Sequence, residues 1–232
     1  MNTNLRRGRP RVVSTIAVLA LTLGAAGGAI AAPASAHDGV DHGAEAGSEA
    51  ALDWSNYEKI TLTKDTGEPI DMAVMADGKV LTTARNGDIR LTDPDAGTTK
   101  VINTVPVYTN SEDGMQTISL DPDFETNKWV YLYYAPRTMT APYVTTTPTG
   151  SAPTTLPAGQ DASYWDQWKG YNQLTRVKWD DAAGKLDLST EQVILKVEQQ
   201  RGQCCHVAGD ADLDADGNLY LATGDTTPAS AP

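Results

Sequence analysis

Met72-Ala73-Val74-Met75, Asp77-Gly78, Lys79-Val80-Leu81-Thr82-Thr83, Asn86-Gly87 and Asp88-Ile89-Arg90-Leu91 follow one another as strand, turn, strand, turn, strand. Apolar residues alternate within each run, and Asp-Gly and Asn-Gly supply the positive φ that a tight hairpin needs, so the stretch reads as an antiparallel meander. The same grammar returns at Ile118-Ser119-Leu120, the turn Asp121-Pro122, and Trp129-Val130-Tyr131-Leu132-Tyr133-Tyr134. A third copy runs through Ala211-Asp212-Leu213, Asp216-Gly217 and Leu219-Tyr220-Leu221-Ala222-Thr223. Short strands recurring with Asp-Gly-type turns, and no amphipathic helix between them, indicate an all-β chain of stacked four-stranded blades, a β-propeller.

Between the second and third copies, residues from about 138 to 170 are rich in Thr, Pro, Ala and Gly and read as a surface insertion. It ends in Tyr164-Trp165-Asp166-Gln167-Trp168-Lys169-Gly170-Tyr171. These rings either pin the insertion to the blades, the preferred reading, or stack on a sugar and rim a pocket. Gln173-Leu174-Thr175-Arg176-Val177-Lys178-Trp179 then alternates as a strand. A turn at Asp180-Asp181-Ala182-Ala183-Gly184 leads to Leu186 and a further strand near Val193-Ile194-Leu195.

Upstream of the blades, Arg6, Arg7, Arg9 and Arg11 precede an apolar run from Val12 to about Ala32 and the small-residue site Ala34-Ser35-Ala36. Residues 1–36 are expected to be a signal peptide that directs secretion, leaving His37 as the first mature residue. Arg6-Arg7 raises a twin-arginine route, but Gly8-Arg9-Pro10 follows where that signal carries an apolar pair, so general export is preferred. Residues 37–55 read as a polar, disordered leader and 56–232 as the propeller portion. Cleavage removes four arginines and no acid, so the formal charge of −12 becomes −16. Such acidity argues against nucleic acid or an anionic membrane as partner. No second apolar run reaches the roughly 18 residues of a membrane span.

Candidate chemistry concentrates in Cys204-Cys205-His206-Val207-Ala208-Gly209 and in Thr223-Gly224-Asp225 at the far end of the third hairpin. His206 is a candidate general base and Asp225 the carboxylate that orients it, because an imidazole accepts a proton best when its other nitrogen is fixed. Cys204 and Cys205 are the chain's two cysteines. In an oxidising compartment a vicinal disulfide between them is preferred over two buried thiols. Zinc is disfavoured for want of a second ligand cluster. Asp212-x-Asp214-x-Asp216-Gly217 copies half of a calcium loop, but Thr223 stands where a bidentate glutamate belongs, so a strand turn is the better reading. His37 and His42 would make a copper site only at an ordered N-terminus, which this segment is not expected to be.

Glu112-Asp113-Gly114-Met115, Asp121-Pro122-Asp123-Phe124, Asn127 and Trp129 to Tyr134 resemble the second-blade motif of the glucose/sorbosone dehydrogenases. Cys204-Cys205-His206-Val207 through Asp216-Gly217-Asn218-Leu219 to Thr223-Gly224-Asp225 is similar to the catalytic-histidine blade of that family in secreted actinobacterial members. The resemblance spans residues from about 70 to 225. It implies a six-bladed propeller, of which this chain would supply an incomplete ring of about three blades, and a sugar dehydrogenase using pyrroloquinoline quinone (PQQ). His206 would take the proton of the anomeric hydroxyl, Asp225 would orient it, and Glu112 would lie beside the cofactor. Asp210 departs from an arginine found in some members. The calcium ligands and cationic quinone clamps of the family come from later blades, so the chain alone is expected to be inactive and, with open blade faces, prone to association. An incomplete gene product is preferred over a short protein with a partner. The alternative function is a non-catalytic propeller module binding carbohydrate or protein.

Overall fold

A computed structural model describes residues 57–207 and 209–226; the expected signal peptide, leader and His37/His42 pair lie outside the described residues. The first sheet contains β1 (Pro69–Val74), β2 (Val80–Ala84), β3 (Asp88–Asp93) and β4 (Thr98–Thr104), antiparallel in the order β1-β2-β3-β4. β4 extends the three-stranded meander expected from the sequence. Its run Thr98 to Thr104 is mostly polar and exposed, because an outermost strand contributes little to the core and so lacks a clear alternation. Gly87, at φ 91°, turns β2 into β3, and its bare Cα lets the Val105 carbonyl come against it. The Val105 amide then donates to Gly87 O at 2.9 Å, closing the sheet's lower corner.

The second sheet contains β5 (Met115–Leu120), β6 (Trp129–Tyr134), β7 (Lys169–Asp180) and β8 (Lys185–Gln200). The Asp121-Pro122 turn is ordered by the Asp121 carboxylate, which accepts from Asp123 N (3.0 Å), Asn127 Nδ2 (2.7 Å) and Tyr131 Oη (3.1 Å). A single helical turn, α1 (Phe124–Asn127), bridges β5 to β6. β8 is one 16-residue strand that starts at Lys185, ahead of the Val193-Ile194-Leu195 run where the sequence placed it. Its exposed central residues pair through bulges with β7, which hides the period-two pattern. β9 (Gly209–Leu213) and β10 (Leu219–Thr223) form the third hairpin. At its turn Asp214 accepts from Asp216 N, Asn218 N, Asn218 Nδ2 and Tyr220 Oη, which holds its carboxyl below the usual range. Those oxygens serve a turn, in keeping with the strand-turn reading of Asp212 to Gly217.

The sheets face one another as blades do. Leu81 and Ile89 from the first sheet pack with Met115, Ile118, Val130, Leu132 and Val177 from the second. Each such side chain, fully removed from water, contributes about 1.5–3 kcal/mol. A smaller cluster joins Tyr133 and Leu174 to Ala211 on β9. Polar ties lock the same interfaces. Asp71 on β1 accepts from Ile118 N at 2.9 Å, and the Thr117 hydroxyl on β5 lies 2.7 Å from a carboxylate oxygen of each of Asp71 and Asp210. Ser119 Oγ donates to Ala211 O at 2.5 Å. On the outer rim, Asn103 on β4 exchanges two hydrogen bonds with the Leu186 backbone on β8. The first strands of three successive units therefore sit side by side, as around a propeller axis. Among the described residues no helix is long and apolar enough to cross a membrane.

Candidate active site

β8 ends at Gln200, and the chain must double back to start β9 at Gly209. The connection is made by backbone that L-residues seldom adopt: Cys205 and His206 both have positive φ, at 111° and 56°. Two consecutive non-glycine residues in that region cost about 1–3 kcal/mol each and persist only where the surroundings enforce them. The enforcement is visible. Gly224 lacks a side chain where the His206 carbonyl presses against it, the Thr226 amide donates to that carbonyl at 2.9 Å, and Gln200 Nε2 donates to Thr226 O at 2.8 Å. Cys204 and Cys205 are joined as a disulfide, as the sequence suggested.

The result is that His206 Nδ1 lies 3.2 Å from Asp225 Oδ1. Both side chains are solvent-accessible, 47% and 68% exposed, so the pair adds little to stability. With the proton on Nδ1, Asp225 accepts from it and Nε2 keeps its lone pair.

Across the loop, the Ser111 hydroxyl donates to Cys204 Sγ at 3.0 Å, which ties the lead-in to β5 onto the disulfide. Glu112, next in the chain, has a carboxylate oxygen in a cluster with both sulfurs in which all three atoms lie within 4.8 Å of one another. Neither sulfur is a thiolate, so the trio carries no metal reading. Glu112 and the 204–206 turn thus share one surface. Asp210, by contrast, lies one strand down, against Thr117.

Three supporting groups escaped sequence reading. Arg201 is fully buried, with its guanidinium donating to Tyr171 O (2.7 Å), Pro136 O (3.1 Å) and Thr147 Oγ1 (3.3 Å) and lying 4.8 Å from the centre of the Tyr108 ring. Burial pulls its pKa down, against the opposing pull of Asp113. Asp113, 3% exposed, is pushed up to about 7, chiefly by burial; Arg201 and Arg85 oppose the rise and Glu112 adds to it. Arg85 bonds Glu68 at 2.8 Å and the carbonyls of Thr109, Ser111 and Asp113. Polar residues in loops read as solvated; the available hint was Gly114 after Asp113, at φ 147° and in contact with the Arg85 carbonyl.

The family model for glucose/sorbosone dehydrogenases matches residues 66–232. The chain belongs to the glucose/sorbosone dehydrogenase family. Among solved structures, a glucose dehydrogenase is similar at 21% identity and a TM-score of 0.52, over 72% of this chain and 44% of its own. A second glucose dehydrogenase matches at 21% identity and 0.50, over 72% of this chain and 40% of its own. The PQQ-bound form of an aldose sugar dehydrogenase from Streptomyces coelicolor matches at 21% and 0.46, over 73% and 41%. The chain therefore spans less than half the length of these structures. The two glucose dehydrogenases share its fold over the aligned blades. A search of curated proteins finds no match.

Proposed function

We propose that this family member is a secreted sugar dehydrogenase chain whose 201–226 segment forms the proton-accepting side of the site. The observation that carries the reading is the His206 Nδ1 to Asp225 Oδ1 contact of 3.2 Å on a turn that the backbone holds under strain. His206 Nε2 takes the proton from the hydroxyl of an aldose carbon being oxidised, and Asp225 balances the imidazolium that forms. Glu112, on the same surface, is the residue proposed to lie beside the cofactor.

PQQ, the cofactor implied by the family, carries three carboxylates. Glu112, Asp210 and Asp225 are acidic, Arg85 is committed to Glu68 and three carbonyls, and Arg201 is buried among carbonyls. This donor set does not fit the quinone as a clamp, and no step through it follows from these residues. The 232-residue chain by itself is proposed to be inactive, because Arg85 and Arg201 are already committed and leave no clamp for three carboxylates on this surface.

The test is PQQ- and calcium-dependent dye reduction with an aldose, using protein purified from culture medium, its His206→Ala variant and the 232-residue chain. Loss of turnover by about 100-fold or more in His206→Ala supports the base assignment; unchanged turnover removes it. Turnover by the 232-residue chain alone would overturn the proposed inactivity.

A further inference from the structure

The insertion is held against the 200–203 loop by a set of fixed contacts. The Ala152 amide donates to Gly202 O at 2.6 Å, Gln203 Nε2 to Ala152 O at 3.2 Å, and the Arg201 amide to Trp168 O at 2.8 Å. Between these walls lies a cavity of about 370 Å³ whose lining includes Pro153, Thr154, Trp165, Trp168, Gln200 and Gln203. That size falls within the range of small-molecule sites, about 300–1,000 Å³. Gly202 is required by space alone: a Cβ there would meet Ala152 Cβ at 2.6 Å and Trp168 Cγ at 3.0 Å.

We infer that this slot is a carbohydrate subsite that seats the second pyranose ring of a reducing oligosaccharide whose first ring lies at His206. Four observations support it. Tyr164, Trp165 and Trp168 form an aromatic cluster with ring centres 5.4–6.1 Å apart, and the indoles of Trp165 and Trp168 line the slot, the surface on which the C–H face of a sugar stacks. Trp168 is 7% exposed and packs beneath Gly202, which holds the inner ring of that surface in place. Lys169, at the rim, is neutralised by Asp166 at 2.7 Å, which suits an uncharged ligand. Finally, Gln200 lines the slot and donates to Thr226 O, next to Asp225, so slot and His206–Asp225 pair share a wall.

Only the placement of a reacting sugar at His206 rests on the function proposed above; the slot itself is tested by binding without quinone. The experiment titrates the full chain with maltotriose and with cellotriose, reading tryptophan fluorescence and calorimetric heat, for the unmodified protein and for Trp165→Ala, Trp165→Phe and Gly202→Val. The expected result is saturable binding of at least one trisaccharide, weakened about tenfold or more in Trp165→Ala and less in Trp165→Phe, with unchanged melting temperature for both. Gly202→Val should also weaken binding, by moving a wall without removing a ring. No binding of either sugar up to ~50 mM, or binding unaltered by Trp165→Ala, overturns the inference. If Trp165-dependent binding holds while dye reduction by the protein purified from culture medium fails, the slot stands and the oxidation reading falls. If glucose is oxidised and neither trisaccharide binds, the slot falls alone.

Discussion

Replacing Asp113 with asparagine should stabilise this protein at alkaline pH and leave it unchanged in acid. Asp113 is 3% exposed, and its Oδ1 accepts no hydrogen bond. Burial raises its carboxyl from the ordinary 3.8 to about 7. A folded-state pKa above the unfolded value means that the native state holds a proton which the unfolded chain has lost. Stability is therefore whole below about pH 4 and declines as pH rises through about 7. At about 1.36 kcal/mol per pH unit, the full displacement corresponds to at most about 4 kcal/mol, and about 2–4 kcal/mol is the expected penalty after relaxation. Asparagine copies the shape of the protonated acid and never ionises, so the variant lacks that penalty. Urea unfolding at pH 4, 5, 7 and 9, read by circular dichroism, measures it: the two proteins should lie close at pH 4, the variant should move ahead between pH 4 and 7, where only the unfolded carboxyl is ionised, and the margin should level off from about pH 7 to pH 9. Parallel profiles for the two would refute the assignment of a protonated, desolvated Asp113 behind Glu112.

Arg201→Ala should cost about 3–5 kcal/mol in unfolding free energy, because it strands the carbonyls of Pro136 and Tyr171 in the interior, and it should open the insertion to limited proteolysis. Gly114→Ala should destabilise by at least about 2 kcal/mol, since φ of 147° and the Arg85 carbonyl both oppose a Cβ there; urea midpoints would show it. Amino-terminal sequencing of the exported product should begin at His37, and a product retaining Arg6 to Arg11 would contradict the signal-peptide reading.

What the sequence disclosed was local and periodic. Asp77-Gly78, Asn86-Gly87 and Asp216-Gly217 mark tight turns through chemistry that needs no tertiary context, and Val80 to Thr83 or Trp129 to Tyr134 carry enough apolar character to read as strands. β4 and the middle of β8 were obscure because exposed outer strands keep the backbone ladder while losing the side-chain pattern. His206, Asp225 and Glu112 were proposed from their motifs, and the fold sets His206 beside Asp225, 19 residues further along, and Glu112 against the disulfide, about 90 residues away in the chain. Arg201 and Asp113 were not legible. Their meaning comes from burial and, for Arg201, from the carbonyls of Pro136 after β6 and Tyr171 on β7 and the Thr147 hydroxyl of the insertion, which no local pattern encodes. Trp165 and Trp168 fall between: their aromatic character is plain in the sequence, and only the structure shows Trp168 packed under Gly202 while Trp165 lines an open slot.

The central claim is that Asp225 fixes His206 with Nε2 free to accept a proton, and the tautomer of the neutral ring tests it most directly. Two-bond ¹H–¹⁵N correlation spectra of the ¹⁵N-histidine-labelled chain, with His206 assigned through His206→Gln, report which nitrogen bears hydrogen. The account predicts the Nδ1–H form, reverting in Asp225→Ala toward the Nε2–H form. An Nε2–H ring in the unmodified protein, indifferent to Asp225→Ala, would contradict it.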